Sequence, residues 1–221
     1  MTSWNGRVVF VDGFAGPGKY RGGEEGSPVI ALKAALEHTQ PIRSEVVFHF
    51  IEHRRDRFEY LRNLLSEMFP NLPSNIVYHV HNRRFDETLC SVLTALDEQG
   101  RGLAPTFAFI DPFGYSDTPF SVISRIMTNP RCEVLINFNY EELNRFTSVP
   151  SQSQNFDKQF GTGAWRECKG LRRLRSAKKL YSRDLQDSTG TGCQDRVREI
   201  VRNDQQEQPS RLFLVLWHQR L

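Results

Sequence analysis

The chain has 221 residues, of which 38% are hydrophobic and 25% charged, with a formal net charge of +3. That balance fits one large globular domain, or one domain with an appendage, and excludes wholesale disorder. No run of about 18 apolar residues occurs, which excludes an apolar spanning helix, and the opening stretch from Met1 to Arg7 lacks the apolar core of a signal peptide, so a cytoplasmic location is expected.

Apolar runs and helical patterns then alternate in chain order. Val8–Val11 is a short β-rich run that ends at Asp12. Pro28–His38 reads as a helix, with Ser27 as N-cap and Pro28 at its first position. Val46–Ile51 is a second strand, ending at Glu52. Arg54–Phe69 carries Phe58, Leu61, Leu64, Leu65 and Met68 at helical spacing, and Pro70 and Pro73 close it. Ile76–Val80 is a third strand, and Phe85–Leu96 an amphipathic helix. Thr106–Ile110 is a fourth strand ending at Asp111, Pro119–Met127 a fourth helix and Val134–Phe138 a fifth strand. This alternation predicts an α/β fold with a doubly wound, mostly parallel, Rossmann-like sheet. The strands are near-continuous apolar runs, as expected when both faces are covered.

After Phe138 the rhythm breaks. Tyr140–Phe146 reads as a short helix, Thr147–Asn155 as a Ser/Gln/Pro loop, Trp165–Asp184 as a basic helix and Asp187–Gly192 as a turn. Asn203–Ser210 is polar, and Leu212–Trp217 is expected to add an edge strand. The sequence thus divides into a core at 5–146 and a helical, basic extension at 147–221. Arg166–Arg183 holds eight Lys/Arg and one Glu, a local +7, which leaves 21 basic against 25 acidic residues elsewhere. Such asymmetry points to a polyanion such as nucleic acid. A solvated helix face is the plainer reading.

In a doubly wound sheet, ligands bind outside the carboxyl ends of the strands. The residues that follow the strands are Asp12 with Gly13, Gly16 and Gly18, then Glu52, then His81 and Asn82, then Asp111, then Asn137 and Asn139. No GxGxxG and no GxxxxGK[ST] occurs, so a pyrophosphate cradle is a poor reading. A glycine turn beside Asp12, with Glu52 after the next strand, suits a nucleoside. Carboxylates accept hydrogen bonds from ribose hydroxyls and from an ammonium group, and they repel phosphate. S-adenosylmethionine carries the first two and lacks the third. The cofactor-binding candidates are therefore Asp12, Gly13, Gly16, Gly18, Glu52 and Asn82.

Asp111-Pro112-Phe113-Gly114-Tyr115 resembles the Asp/Asn-Pro-Pro-Tyr/Phe motif of enzymes that methylate exocyclic amines of bases. The single Pro is closer to the version in some transfer-RNA guanine methyltransferases. The resemblance implies that Asp111 accepts hydrogen bonds from the amine and that Phe113 or Tyr115 stacks on the base. Asp111, Pro112, Phe113 and Tyr115 are the catalytic candidates. An ordinary strand-ending turn is the competing reading.

Four segments together, Val8 to Tyr20, Gly26 to Leu32, Phe107 to Tyr115 and Leu135 to Phe138, resemble the three-Cys-motif partner protein (TcmP) family, with Phe160-Gly161 and Trp165 compatible. The resemblance covers roughly residues 5 to 185. It implies a prokaryotic protein with a class I methyltransferase-like core that binds S-adenosylmethionine and works beside a three-Cys-motif protein. Arg83-Arg84 departs from the family at the adenine side of the site, where a small or acidic residue is usual.

Two other functions stay open. One is a binding subunit without turnover. The other is a nuclease that gathers Asp12, Glu52 and Asp111 around Mg²⁺, which requires the three to converge. His49, His53, His79 and His81 lack the companions of a metal site; His49 and His79 read as packed strand residues, and His53 reads as the start of a helix. The four cysteines are scattered singly, without a CxxC pair.

Overall fold

The computed structural model of the chain describes residues 6–112, 118–139, 149–161, 196–200 and 211–217. The elements are β1 (Arg7–Asp12), α1 (Ser27–Leu36), β2 (Glu45–Ile51), α2 (Arg55–Met68), β3 (Ile76–His81), α3 (Phe85–Glu98), β4 (Thr106–Ile110), α4 (Phe120–Met127) and β5 (Glu133–Asn139). After them come a 3-10 turn at Pro150–Gln152, α5 (Ser153–Phe160), β6 (Arg196–Ile200) and β7 (Arg211–Trp217).

One seven-stranded sheet runs in the order β3-β2-β1-β4-β5-β7-β6. The first five strands pair parallel, whereas β7 pairs antiparallel with both β5 and β6. Strand alternation sends side chains to two faces, and each face has its own core. Phe48 and Phe50 of β2 pack with Val29 and Leu32 of α1 and Leu61 and Leu65 of α2. On the other face, Ala108, Ile110, Val134 and Ile136 pack with Phe85, Leu89 and Leu93 of α3, Ile123, Ile126 and Met127 of α4, and Phe156 and Phe160 of α5. Each such Leu, Ile or Phe contributes about 1.5–3 kcal/mol through burial. The doubly wound α/β reading therefore holds, with strand bounds within a residue or two of those expected.

Four expectations need correction. Ser27 is not the N-cap of α1. Gly26 occupies that position, and Ser27, inside the first turn, turns its hydroxyl to Asp12. Thr147–Asn155 is not all loop, because Pro150–Gln152 and α5 fold within and beyond it. The four-residue spacing of Phe156 and Phe160 puts both against the core. Leu212–Trp217 lies in β7, but β6 pairs outside it, so β7 is interior. His53 precedes α2 rather than opening it. The helices expected at Tyr140–Phe146 and Trp165–Asp184 and the turn at Asp187–Gly192 lie outside the described residues. The polar stretch Asn203–Ser210 does too. Among the described residues, no helix is long and apolar enough to cross a membrane. Cys90 and Cys132 carry free thiols.

Candidate active site

Strand order reverses at β1, which lies between β2 and β4, so a crevice opens at the carboxyl ends of these three strands. Parallel register fixes what meets there. Asp12 stands level with Phe50 of β2 and Phe109 of β4, so Glu52 and Asp111 each lie two residues beyond that level. The turn after Asp12 is tied to both neighbours. Gly13 N–H donates to the Phe109 carbonyl and Ala15 N–H to the Ile51 carbonyl, each at 2.9 Å.

Asp12 is wholly buried. Its Oδ2 accepts the Ser27 hydroxyl at 2.5 Å and its Oδ1 the Phe14 N–H at 3.2 Å. Burial pushes its carboxyl up to about 6. The two hydrogen bonds oppose that rise, and the charges of Asp111 and Glu52 add to it. Asp111 and Glu52 thus both act on Asp12 at this edge of the sheet.

Glu52 is 4% exposed. Its Oε1 accepts the Arg54 N–H at 2.7 Å, while no hydrogen bond from the described residues engages Oε2. The Glu52 N–H donates to the His81 carbonyl at 3.0 Å. Asn82 secures this corner: its Nδ2 donates to the Glu52 and His53 carbonyls, both at 3.0 Å, so it holds the backbone that presents Glu52. Asp111 is held from β5, where Asn137 Nδ2 donates to its Oδ1 at 2.7 Å. Asn137 is itself buried, and its Oδ1 takes no hydrogen bond among the described residues.

A small hollow of about 20 Å³ lies beside Glu52. Gly13, Phe14, Ile51, Glu52, His53, Arg57, Arg83, Arg84 and Phe85 line it. Gly13 is required there, because a Cβ would stand 2.7 Å from the Phe85 ring. Phe14 packs near that ring at 5.7 Å between centroids. Gly16 and Gly18 do not line the hollow. Gly18 has φ +76° and faces Leu61 of α2, so its task is to let the loop pass close to that helix. Sequence reasoning found the acids but missed Phe14, His53, Arg57 and Phe85 as walls, and missed the part played by Ser27 and Asn137. Pro112 follows Asp111 at the crevice, whereas Phe113 and Tyr115 lie outside the described residues.

A sheet of this order, with an antiparallel β7 between β5 and β6, is the Rossmann-like class I methyltransferase fold. One solved structure shares that fold at a TM-score above 0.5. Trm1 from Pyrococcus horikoshii, in complex with S-adenosyl-L-methionine, matches at TM-score 0.51 and 10% identity, over 95% of this chain and 50% of that one. A Clostridium thermocellum protein described as an rRNA methylase matches at 0.49 and 10% identity, over 97% and 87%. The S-adenosylhomocysteine-bound Podospora anserina methyltransferase PaMTH1 matches at 0.42 and 9% identity, over 97% and 72%. The chain spans half the length of the Pyrococcus chain. By sequence, no family description matches this chain, and no curated protein is detectably similar to it.

Proposed function

We propose that this chain is an S-adenosylmethionine-dependent methyltransferase of the three-Cys-motif partner kind. It acts on an exocyclic amine of a nucleic-acid base, beside a three-Cys-motif protein. The observation that carries this reading is the parallel register that sets Glu52, Asp12 and the Asn137-held Asp111 at the carboxyl ends of the adjacent strands β2, β1 and β4. The residues fit the donor. Glu52, only 4% exposed, lines the hollow, where a carboxylate can accept a ribose hydroxyl. S-adenosylmethionine, when bound, supplies a methyl group already activated on a sulfonium, so the protein's part is positional.

Glu52 would hold the ribose hydroxyls, and Gly13 and Phe14 would form the adjoining wall. Asp12 braces the turn beneath them. Asp111 accepts an amine N–H, which leaves the nitrogen lone pair aimed at the donor, and Asn137 fixes the carboxylate for that task. Phe113 and Tyr115 would stack on the base. The three-Cys-motif partner rests on the sequence resemblance.

The Mg²⁺ nuclease reading is weaker on the chemistry of its donors. Both Asp12 oxygens, Glu52 Oε1 and Asp111 Oδ1 already accept hydrogen bonds from the protein. Among the described residues, no group of three His, Cys, Asp or Glu is placed to hold a metal ion. A binding subunit without turnover is the second reading. Arg83 and Arg84 on the rim of the hollow favour it.

Titration of the full chain with S-adenosylhomocysteine tests the site. Saturable binding is expected, weakened at least about tenfold in Glu52→Ala, the loss typical of a hydrogen bond to a charged group. Equal affinity in wild type and variant would overturn the proposal. Methyl transfer from labelled S-adenosylmethionine to DNA or RNA then separates the enzyme from the binding subunit.

A further inference from the structure

A second concavity, of roughly 600 Å³, lies beside the glycine turn and does not belong to the site just described. Its walls come from two places. One is the loop between β1 and α1, which contributes Lys19, Tyr20 and Arg21. The other is the start of α2, which contributes Arg54, Arg57 and Tyr60. The groove also contains Asp56, which pairs with Arg54 at 2.8 Å, so its net charge is +3.

The loop wall is built rather than slack. Tyr20 N–H donates to the Glu24 carbonyl at 2.9 Å, and Gly23 N–H to the Tyr20 carbonyl at 3.0 Å. Lys19 and Glu25 form an antiparallel bridge, and Gly26 N–H closes the loop on the Gly18 carbonyl at 2.7 Å. The helix wall follows from spacing. Residues 54, 57 and 60 recur every three positions and so climb one side of α2. The two tyrosines that face the groove are 50% and 51% exposed. One exposed aromatic residue is unremarkable, but two on one groove with four cations are the chemistry that binds a polynucleotide strand: cations for phosphates and flat rings for bases. Arg57 lines both this groove and the hollow beside Glu52, so the two are neighbours.

We propose that the groove between the Lys19–Arg21 loop and α2 binds a single-stranded segment of the nucleic-acid substrate, with Tyr20 and Tyr60 stacking on its bases. The inference rests on the methyltransferase reading above for its choice of substrate, and its residues lie outside the basic segment at Arg166–Arg183. Single strands suit it because a duplex keeps its bases stacked on one another, away from side-chain rings.

The test is fluorescence anisotropy with the full chain and a labelled 12-nucleotide single strand, as DNA and as RNA, across a salt series. Tyr20→Ala and Tyr60→Ala should each weaken binding about tenfold at every salt concentration, with Tyr→Phe at either position restoring it. Lys19→Ala with Arg21→Ala should reduce the magnitude of the log–log salt slope by about 1.4, since each phosphate contact to a single strand contributes about 0.7. Wild-type affinity and slope in these variants would overturn the proposal, as would equal competition by an unlabelled duplex. S-adenosylhomocysteine titration of the same variants separates the two claims. Groove variants should bind it normally, whereas Glu52→Ala should lose it and keep the oligonucleotide. A chain that binds neither strand while holding S-adenosylhomocysteine leaves the site standing and removes the groove.

Discussion

Asn137 Nδ2 lies 2.7 Å from Asp111 Oδ1, which couples the end of β5 to the carboxylate that follows β4. The amide of a buried asparagine thereby fixes the direction of the acid proposed to receive the target amine. In a reaction limited by alignment, a displacement of about 1 Å can cost on the order of a hundredfold in rate. Asn137→Ala should therefore lower kcat by about ten- to a hundredfold while leaving S-adenosylhomocysteine affinity within about twofold, because Asn137 does not line the hollow beside Glu52. Steady-state kinetics paired with a binding titration checks this. A variant that lost ligand affinity and kcat together would point to a general structural role instead.

Asp12 illustrates a site maintained against stability. Its folded carboxyl titrates near 6, above the ordinary 3.8, because burial disfavours the charge and Asp111 and Glu52 repel it. The folded chain therefore holds a proton that the unfolded chain releases earlier. This contributes stability fully below about pH 3.8, and the contribution is lost as pH rises through 6. At pH 7.5 the fold carries the cost of a buried charge. Asp12→Asn removes that cost and keeps groups able to bond Ser27 and Phe14. Urea melts should show the variant more stable by up to about 3 kcal/mol at pH 7.5 and by much less at pH 4. Its affinity for S-adenosylhomocysteine should fall. The same gain at both pH values would remove the charge from the explanation.

How far these relationships were visible beforehand depends on their range. Asp12, Glu52 and Asp111 stood out because each polar residue ends an apolar run, and a parallel sheet brings such ends to one edge. The reach of Ser27 to Asp12 and of Asn137 to Asp111 is different. Ser27 looked like an N-cap and Asn137 like a strand terminus, and only the packing of α1 against β1, and of β5 beside β4, gives each its actual partner. Asn82 was a cofactor-binding candidate, and its amide Nδ2 holds the backbone of Glu52 and His53. α5 escaped because Ser, Gln and Asn dominate its sequence, while its burial rests on Phe156, Gln159 and Phe160.

Gly18 should tolerate no side chain. Its φ of +76° is strained for any L residue, and a Cβ would stand 2.6 Å from Leu61 Cδ1, on a side chain that is itself wholly buried. Gly18→Ala is expected to destabilise the fold by about 1–3 kcal/mol, combining backbone strain with local overpacking. Gly16→Ala is the informative comparison. It shares the positive φ but meets open space, so its cost should be limited to the strain. Thermal melts of the pair measure the packing share by difference, and equal melting temperatures would show that α2 yields to the added methyl.

His49 gives the fold an acid-sensitive face. It lies on β2 with His79 opposite it on β3, the rings 5.2 Å apart and stacked, and its Nδ1 meets His81 Nε2 at 2.9 Å. Burial first, and then the neighbouring His81 and His79, push its imidazole down to about 4. Burial likewise lowers His81, helped by His79 and Arg83. Between pH 6.5 and 4 the unfolded chain takes up a proton that folded His49 refuses. Stability from this group is therefore complete above about 6.5 and lost as the pH falls through 4. The loss is at most about 3 kcal/mol, and less because the ring is partly solvated. His49→Gln keeps a polar partner for His81 without the titration. Chemical denaturation from pH 7 down to 4 should show a shallower decline in the variant than in wild type. Parallel profiles would mean that His49 takes up its proton as readily in the folded chain as in the unfolded one.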